Sequence, residues 1–447
     1  MIKKILFSLL CLPGLSLSAA ASDSVIGNAS EFNSPNGIKE QCIILKHMPG
    51  GVYSETDQQI EKNYCSMDIY SNTGMCPKTW STSPGTMFYP LNGSPFSSVS
   101  HFEGSACHNQ RRIPIKAIAF KNTMNMRDTS GTFSTASLLY YHFSRYLNTQ
   151  IKVPVAVYRS IDKDIHRQRV TQAGLSLTHK GMINHAWKGM LKIEQNPAAY
   201  HPVNEVFTSD HQQIYGALLR STGKRYNQLI NGSRKSGWGE GQSRDFEKTP
   251  AFMALRSDKL LGQAITDHRR NISNEQMVFW MQDIIEITLL DYIFSQQDRI
   301  GNIDYTKVWL SAADNQLQRS QSRPSGKRSQ QIKQTHLNDN DAGGRYRYAN
   351  YTKKTGMLEM IRHYNSATYQ QLLKLDKDFS QQGELYQYLS QTFGLTIKQR
   401  DMIVKNTKMA AELLRNNCLA DKLIFDLEPE QFFIQGSVQP VNQSCQL

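Results

Sequence analysis

Six cysteines constrain this chain more than any other feature: Cys42, Cys65, Cys76 and Cys107 lie in its first quarter, Cys418 and Cys445 near its end. The seventh, Cys11, belongs to an opening stretch that reads as a signal peptide. Met-Ile-Lys-Lys is followed by an apolar run, Ile5 to Leu17, too brief to span a bilayer, and then by the small residues Ala19, Ala20 and Ala21. Cleavage near Ser22 is therefore expected, with residues 1–21 leaving as the signal. An even number of cysteines in a chain bound for an oxidising space reads as disulfides. Their grouping favours local pairing, with Cys418 to Cys445 pinning the C-terminal tail. A metal site built from them is disfavoured, because no CxxC pair and no histidine at ligand spacing accompanies them. The expected location is outside the cytoplasm, periplasmic or secreted, and no transmembrane segment is expected after signal cleavage.

The formal charge of +13 falls to about +11 without Lys3 and Lys4, which favours anionic partners. Phosphate-bearing ligands, acidic proteins, polyanionic glycans and lipid surfaces all fit, and nucleic acid is the unlikely one outside a cytoplasm. Roughly 425 residues after the signal suggest one two-lobed unit or two domains. Up to about Ser105 the chain is rich in Gly, Ser, Asn and Pro, which predicts loops and short strands held by disulfides. Ile113 to Phe120 alternates like a strand ending at Lys121, Ala136 to Leu147 repeats like a helix, and Val153 to Tyr158 returns to strand character. The stretch Asn231 to Ser243 reads as a surface excursion without chemistry. A long core helix is predicted from a Ser273 cap with Gln276 completing a capping box, showing one broad apolar face from Met277 to Ile293. Gln318 to Gln334 reads as a mobile hairpin tip or loop, and three further helices are predicted over 356–377, 384–392 and 396–417.

Chemistry concentrates where that core helix ends. Asp298-Arg299-Ile-Gly301-Asn302 packs an acid, a cation, a glycine and an amide into five positions, and strand-like Val308 to Leu310 follows. Some thirty-five residues on, His336-Leu-Asn-Asp339-Asn340-Asp341-Ala-Gly343-Gly344 sets acids beside glycines that let the backbone turn tightly. Two acidic loops after one core helix suit a divalent cation, since hard cations take oxygen ligands. The plain alternative is a solvated turn or a structural calcium site. HExxH, GxSxG and Walker A motifs are all missing, so metalloprotease, nucleophile-elbow hydrolase and P-loop chemistries lack support.

The order of these loops resembles the protein-kinase-like superfamily, where a catalytic Asp and a downstream Asn precede a metal-binding Asp in a short acidic motif. It is more similar to the atypical branches: secretory-pathway kinases of the Golgi casein kinase type, and phosphatidylinositol kinases, which use Asp-Arg as Asp298-Arg299 does. The similarity spans about 113 to 345. It implies a two-lobed α+β fold, with a strand-rich, disulfide-bearing N-lobe over 22–175 and a mainly helical C-lobe over 176–447. It further implies Asp298 as the catalytic aspartate that orients or deprotonates the acceptor hydroxyl, Lys121, or else Lys116, as the phosphate-pairing lysine, and Asn302 with Asp339 or Asp341 as ligands of Mg2+ or Mn2+ beside ATP. Val153-Pro154 followed by Arg159 also fits that branch.

The chain departs from the kinase pattern in three ways. No acidic residue occurs between Asp128 and Asp162, and Ser137 stands where a helix Glu would hold the lysine. Asn302 follows Asp298 by four residues rather than the commoner five. No glycine-rich loop precedes Lys121, the nearest candidate being Gly104-Ser105. The implied activity is phosphoryl transfer from ATP to a protein, glycan or lipid hydroxyl. The competing expectations are an inactive pseudokinase scaffold and an exported basic protein that binds a polyanion.

Overall fold

A computed structural model describes residues 25–96, 98–325 and 329–447. The expected signal segment 1–21 lies outside the described residues. The fold is α+β, strand-rich in its first half and mainly helical in its second, and it carries three disulfides.

Seven antiparallel strands form the main sheet: β1 Gly27–Asn33, β2 Lys39–Leu45, β3 Thr73–Pro77, β4 Gly85–Pro90, β5 Ile118–Asn122, β6 Ala156–Asp162 and β7 Gln213–Leu219. Their spatial order is β1-β2-β6-β7-β5-β4-β3. The central strand β7 lies beyond the expected N-lobe boundary at 175, so the sheet takes in sequence from well past it. Two strands differ in extent from the alternation. Pro114 interrupts the amide ladder that 113–117 would need, so β5 starts at Ile118, and Lys121 lies inside the strand, paired with Ala217. Pro154 delays β6 in the same way, to Ala156. Arg159 is fully buried in β6, against Glu40 at 3.4 Å.

Disulfides pair Cys42 with Cys65, Cys76 with Cys107 and Cys418 with Cys445, each within its sequence group. The first ties β2 to the helix Glu55–Cys65, the second ties β3 to the helical segment Cys107–Arg112, and the third fastens the tail to the helix Ile397–Leu419.

The helix Asn274–Phe294 is the axis of the helical half. Every residue from Gln276 to Phe294 is buried, so it is enclosed on all sides rather than along one broad face. Only half of the expected capping box forms. Ser273 Oγ accepts from Gln276 N at 3.2 Å, but Gln276 Oε1 accepts from Lys333 N at 2.7 Å, because a strand edge lies closer to it than the cap. That strand belongs to a second sheet of β8 Lys224–Arg225, β9 Asp304–Ala313, β10 Gln316–Ser320 and β11 Ser329–His336, with β9 paired to the other three. In the stretch expected as a mobile hairpin tip or loop, residues 318–320 and 329–334 are strand, both paired to β9: cross-strand pairing supplies the order that its polar composition does not advertise. The helix expected over 356–377 is interrupted at 361–365, leaving Met357–Met360 and Ser366–Ser380. Glu384–Thr392 and Ile397–Leu419 follow as expected. None of the described helices is long and apolar enough to cross a membrane.

Two carboxyl groups of the core helix make stability depend on pH. Burial pushes Asp283 up to about 8, against the hydrogen bond from Thr335, and Glu286 up to about 7, against those from the Ile151 and Gln150 amides. In the unfolded chain both groups titrate near about 4. A raised folded value means that their contribution is complete below that range and is lost as pH rises through 7 to 8. Unfolding free energy is therefore expected to decline from mildly acid to neutral pH, and Asp283→Asn to flatten that decline. Denaturant titrations at several pH values check this, and an unchanged slope in the variant would contradict it.

Candidate active site

Lys121 joins the strand-rich half to the acidic loop of the helical half. Its ammonium lies 2.7 Å from Asp341 Oδ1 and 3.1 Å from Asp339 Oδ1, and its side chain is 7% exposed. Burial alone would lower the lysine's pKa, but the Asp341 and Asp339 carboxylates outweigh it and hold the group charged well above the ordinary lysine range. The departure noted at Ser137 thus has a structural answer. The helix Thr135–Tyr146 brings no acid to the lysine, and Ser137 Oγ is buried without a hydrogen bond. Asp341, 7% exposed, pairs with Lys121 instead. Lys116 is exposed and lies before β5, with no ion pair among the described residues. The structure therefore brings Lys121, not Lys116, to the acids.

The two aspartates differ in setting. Asp339 takes a left-handed backbone conformation, φ 54°, and its side chain is 33% exposed. Burial would raise its pKa, yet Lys121, Lys78 and Arg225 outweigh that and hold it far below the usual carboxylate range. Lys78 opens the turn between β3 and β4. Burial pulls its ammonium down, while Asp339 pulls it up. This turn, Lys78-Thr-Trp-Ser-Thr-Ser-Pro84, is built on hydroxyl residues. Gly104-Ser105 instead lies within the helix Val99–Ala106 and forms no loop.

Asp298 follows the end of the core helix, where Ser295 turns the chain with φ 52°. Burial raises the Asp298 pKa, and a hydrogen bond from the Trp238 indole N–H at 3.3 Å opposes the rise. Asn302 donates its amide N–H to the Asp298 carbonyl at 2.7 Å, which turns its Oδ1 toward Arg225. Gly301 takes φ 81°, a left-handed conformation that L side chains rarely adopt, and its bare Cα leaves room for the Arg234 guanidinium. Arg234 crosses at that point to donate to the Ile300 carbonyl at 2.9 Å.

Arg299 binds the two loops together. Its guanidinium pairs with Asp291 through Nε at 2.9 Å and Nη2 at 3.0 Å, and donates to the Asn338 carbonyl at 2.7 Å and Asn340 Oδ1 at 2.8 Å. Asp291 also accepts from the Tyr140 hydroxyl at 2.7 Å. Gly344, φ 76°, closes the acidic loop back onto the helix by donating to the Phe294 carbonyl at 2.6 Å.

Comparison with known proteins follows this geometry. No family model and no curated protein matches the chain. Among the similar solved structures are a Golgi casein kinase and hydra Fam20. The Golgi casein kinase shows 12% identity over 84% of this chain and 81% of that one, with a TM-score of 0.44. The same enzyme with Mn/ADP bound shows 14% identity over 84% and 80%, with a TM-score of 0.44. Hydra Fam20 with sugar shows 12% identity over 83% and 93%, with a TM-score of 0.45. At such distances residue roles do not transfer, and they rest here on the contacts of this chain alone.

Sequence reading missed Lys78, Arg225, Arg234 and Trp238. Lys78 and Arg225 are single basic residues in short connections, which carry no pattern. Trp238 and Arg234 fall in the stretch read as a surface excursion. The one available signal was Trp238 itself, a large aromatic residue in a Gly- and Ser-rich segment, 59% exposed in the fold.

Proposed function

We propose that this chain is an exported, kinase-like phosphotransferase that moves the γ-phosphoryl group of ATP to a hydroxyl of a protein, glycan or lipid acceptor. The observation that carries the reading is the buried Lys121 ammonium held between Asp339 and Asp341, in a loop that Arg299 ties to the one bearing Asp298, whose pKa burial raises. Phosphoryl transfer asks for little covalent chemistry and much electrostatic positioning, and a cation, acids and an amide oxygen converging from two halves of a fold suit that.

Asp298 would accept the proton of the attacking hydroxyl. Its raised pKa makes it a better base than a solvated aspartate. The acceptor oxygen bonds to the γ-phosphorus, the bond to the bridging oxygen breaks, and ADP leaves with that electron pair. Lys121 would compensate the phosphate charge, while Asp341 keeps the ammonium ionised and aimed. Asp339 and Asn302 offer hard oxygen donors, the right chemistry for Mg2+ or Mn2+; Asp341 is the alternative carboxylate. Among the described residues no group of three or more His, Cys, Asp or Glu side chains could hold a metal. A dication in such a site is commonly held by one or two carboxylates plus nucleotide phosphates rather than by an all-protein cage. When bound, it would neutralise the β- and γ-phosphate oxygens.

The test is thermal unfolding of the oxidised protein with ATP and Mn2+, beside Asp339→Ala and Asp341→Ala. Ligand that binds only the native state stabilises it by about 2.7 kcal/mol at a hundredfold excess over Kd. A shift that needs both nucleotide and metal, and that Asp339→Ala loses, is expected, together with transfer of label from γ-labelled ATP to an acceptor. No shift at several millimolar ligand would overturn the reading in favour of a scaffold or polyanion binder.

A further inference from the structure

Arg225 lies in β8, directly after the connection that leaves the main sheet, and its cross-strand partner is Asp304. That register delivers its guanidinium to a ring of oxygens. Nε lies 2.8 Å from Asp304 Oδ1, Nη2 lies 3.4 Å from Asp339 Oδ2, and Nη1 donates to the Gly301 carbonyl and to Asn302 Oδ1. The remaining Asp304 oxygen accepts from Asn338 Nδ2 at 2.7 Å, so the carboxylate that anchors Arg225 is itself held by the acidic loop.

Two of these oxygens, Asp339 Oδ2 and Asn302 Oδ1, are the ones the proposed function assigns to a dication. A cation of the chain already satisfies them. Lys121 does not compete for the same place, since it meets the other Asp339 oxygen and is almost wholly enclosed. Arg225 is 44% exposed, open to solvent on one side and able to withdraw without unpacking the core. Guanidinium also suits the exchange chemically: its fork bridges several oxygens at once and serves phosphate as well as carboxylate.

We propose that Arg225 is a displaceable internal counter-ion: it holds the Asp339 and Asn302 oxygens in the ligand-free protein and must leave them before a dication can bind. This rests on the reading of Asp339 and Asn302 as metal ligands. Free metal then competes with a tethered cation and binds weakly. Metal arriving with a nucleotide triphosphate brings phosphate oxygens that receive the displaced guanidinium, while Nε keeps its Asp304 partner. Metal uptake thereby becomes conditional on nucleotide, and the acids stay neutralised until both are present.

Titration of Mn2+ alone, followed by the electron paramagnetic resonance signal of free Mn2+, tests this with the oxidised protein and no nucleotide. Arg225→Gln is expected to bind Mn2+ about tenfold or more tightly than wild type, because a positive charge within a few ångströms of the ligands is gone. Adding Asp339→Asn to Arg225→Gln should abolish the gain. Arg225→Lys keeps a cation for Asp304 but cannot bridge all the oxygens, so it should fall between the two and decides the matter if the glutamine variant does not fold. Wild-type and variant affinities that coincide would overturn the proposal. A parallel titration of wild type with ATP and Mn2+ together keeps the two readings apart. Uptake there, with coincident Mn2+ affinities, removes the counter-ion and leaves the kinase; no uptake there, with a tighter Arg225→Gln, does the reverse.

Discussion

Arg299→Leu is expected to cost about 3–5 kcal/mol of unfolding free energy, the penalty for breaking a buried ion pair and stranding its partner. Arg299 is 4% exposed and Asp291 2%, and the pair is bidentate. Burial alone would pull the guanidinium down, and Asp291 more than restores it, holding it charged. Removing it leaves the Asp291 carboxylate, among the described residues, with the Tyr140 hydroxyl alone, and frees the Asn338 carbonyl and the Asn340 amide oxygen. Urea unfolding of the oxidised protein measures the loss, and a cost below about 1 kcal/mol would contradict the account. The paired variant Asp291→Leu with Arg299→Leu is expected to recover much of the stability, since an apolar pair of similar volume replaces the ions. It should not recover nucleotide-dependent stabilisation, because the acidic loop has still lost the contacts that aim Asp339.

Asp298→Asn is expected to lower the rate of phosphoryl transfer about 10²- to 10⁴-fold, the usual range for loss of a positioned base. Nucleotide and Mn2+ should still raise its unfolding midpoint, because Asp298 makes no contact with Lys121 or Asp341. The wild-type pH profile carries a second check. Burial raises the Asp298 pKa, so the base is protonated, and activity lost, on the acid side at a pH above the ordinary aspartate range of about 4. A full rate in the variant, or an acid limb at the ordinary position, would remove Asp298 from the chemistry.

Part of this architecture was legible in local pattern. The cysteines pair within their groups because short loops close at low entropic cost, and the core helix, its serine cap and the β9 strand stand where periodicity places them. The two acidic loops were visible as compositions, and the fold ties them together through Arg299, with Lys121 held by the second of them. Strand boundaries were less legible, since proline displaced β5 and β6 by several residues. The tip region near 318–334 took strand structure from a partner that its own composition does not name.

What the sequence by itself determined is therefore whatever neighbours in the chain decide: helix periods, turns, local disulfides and the clustering of acids after a helix. The tertiary structure alone decided which charges meet. Lys121 and Asp341 are 220 residues apart, and Arg225 and Asp339 are 114. No local spacing encodes those encounters. They follow from a sheet that draws β7 in from the middle of the chain, and from β8, whose register carries Arg225 onto the loop oxygens. The partner of a charge depends on which distant segment packing delivers to it, and so the missing helix acid could be found only in the fold.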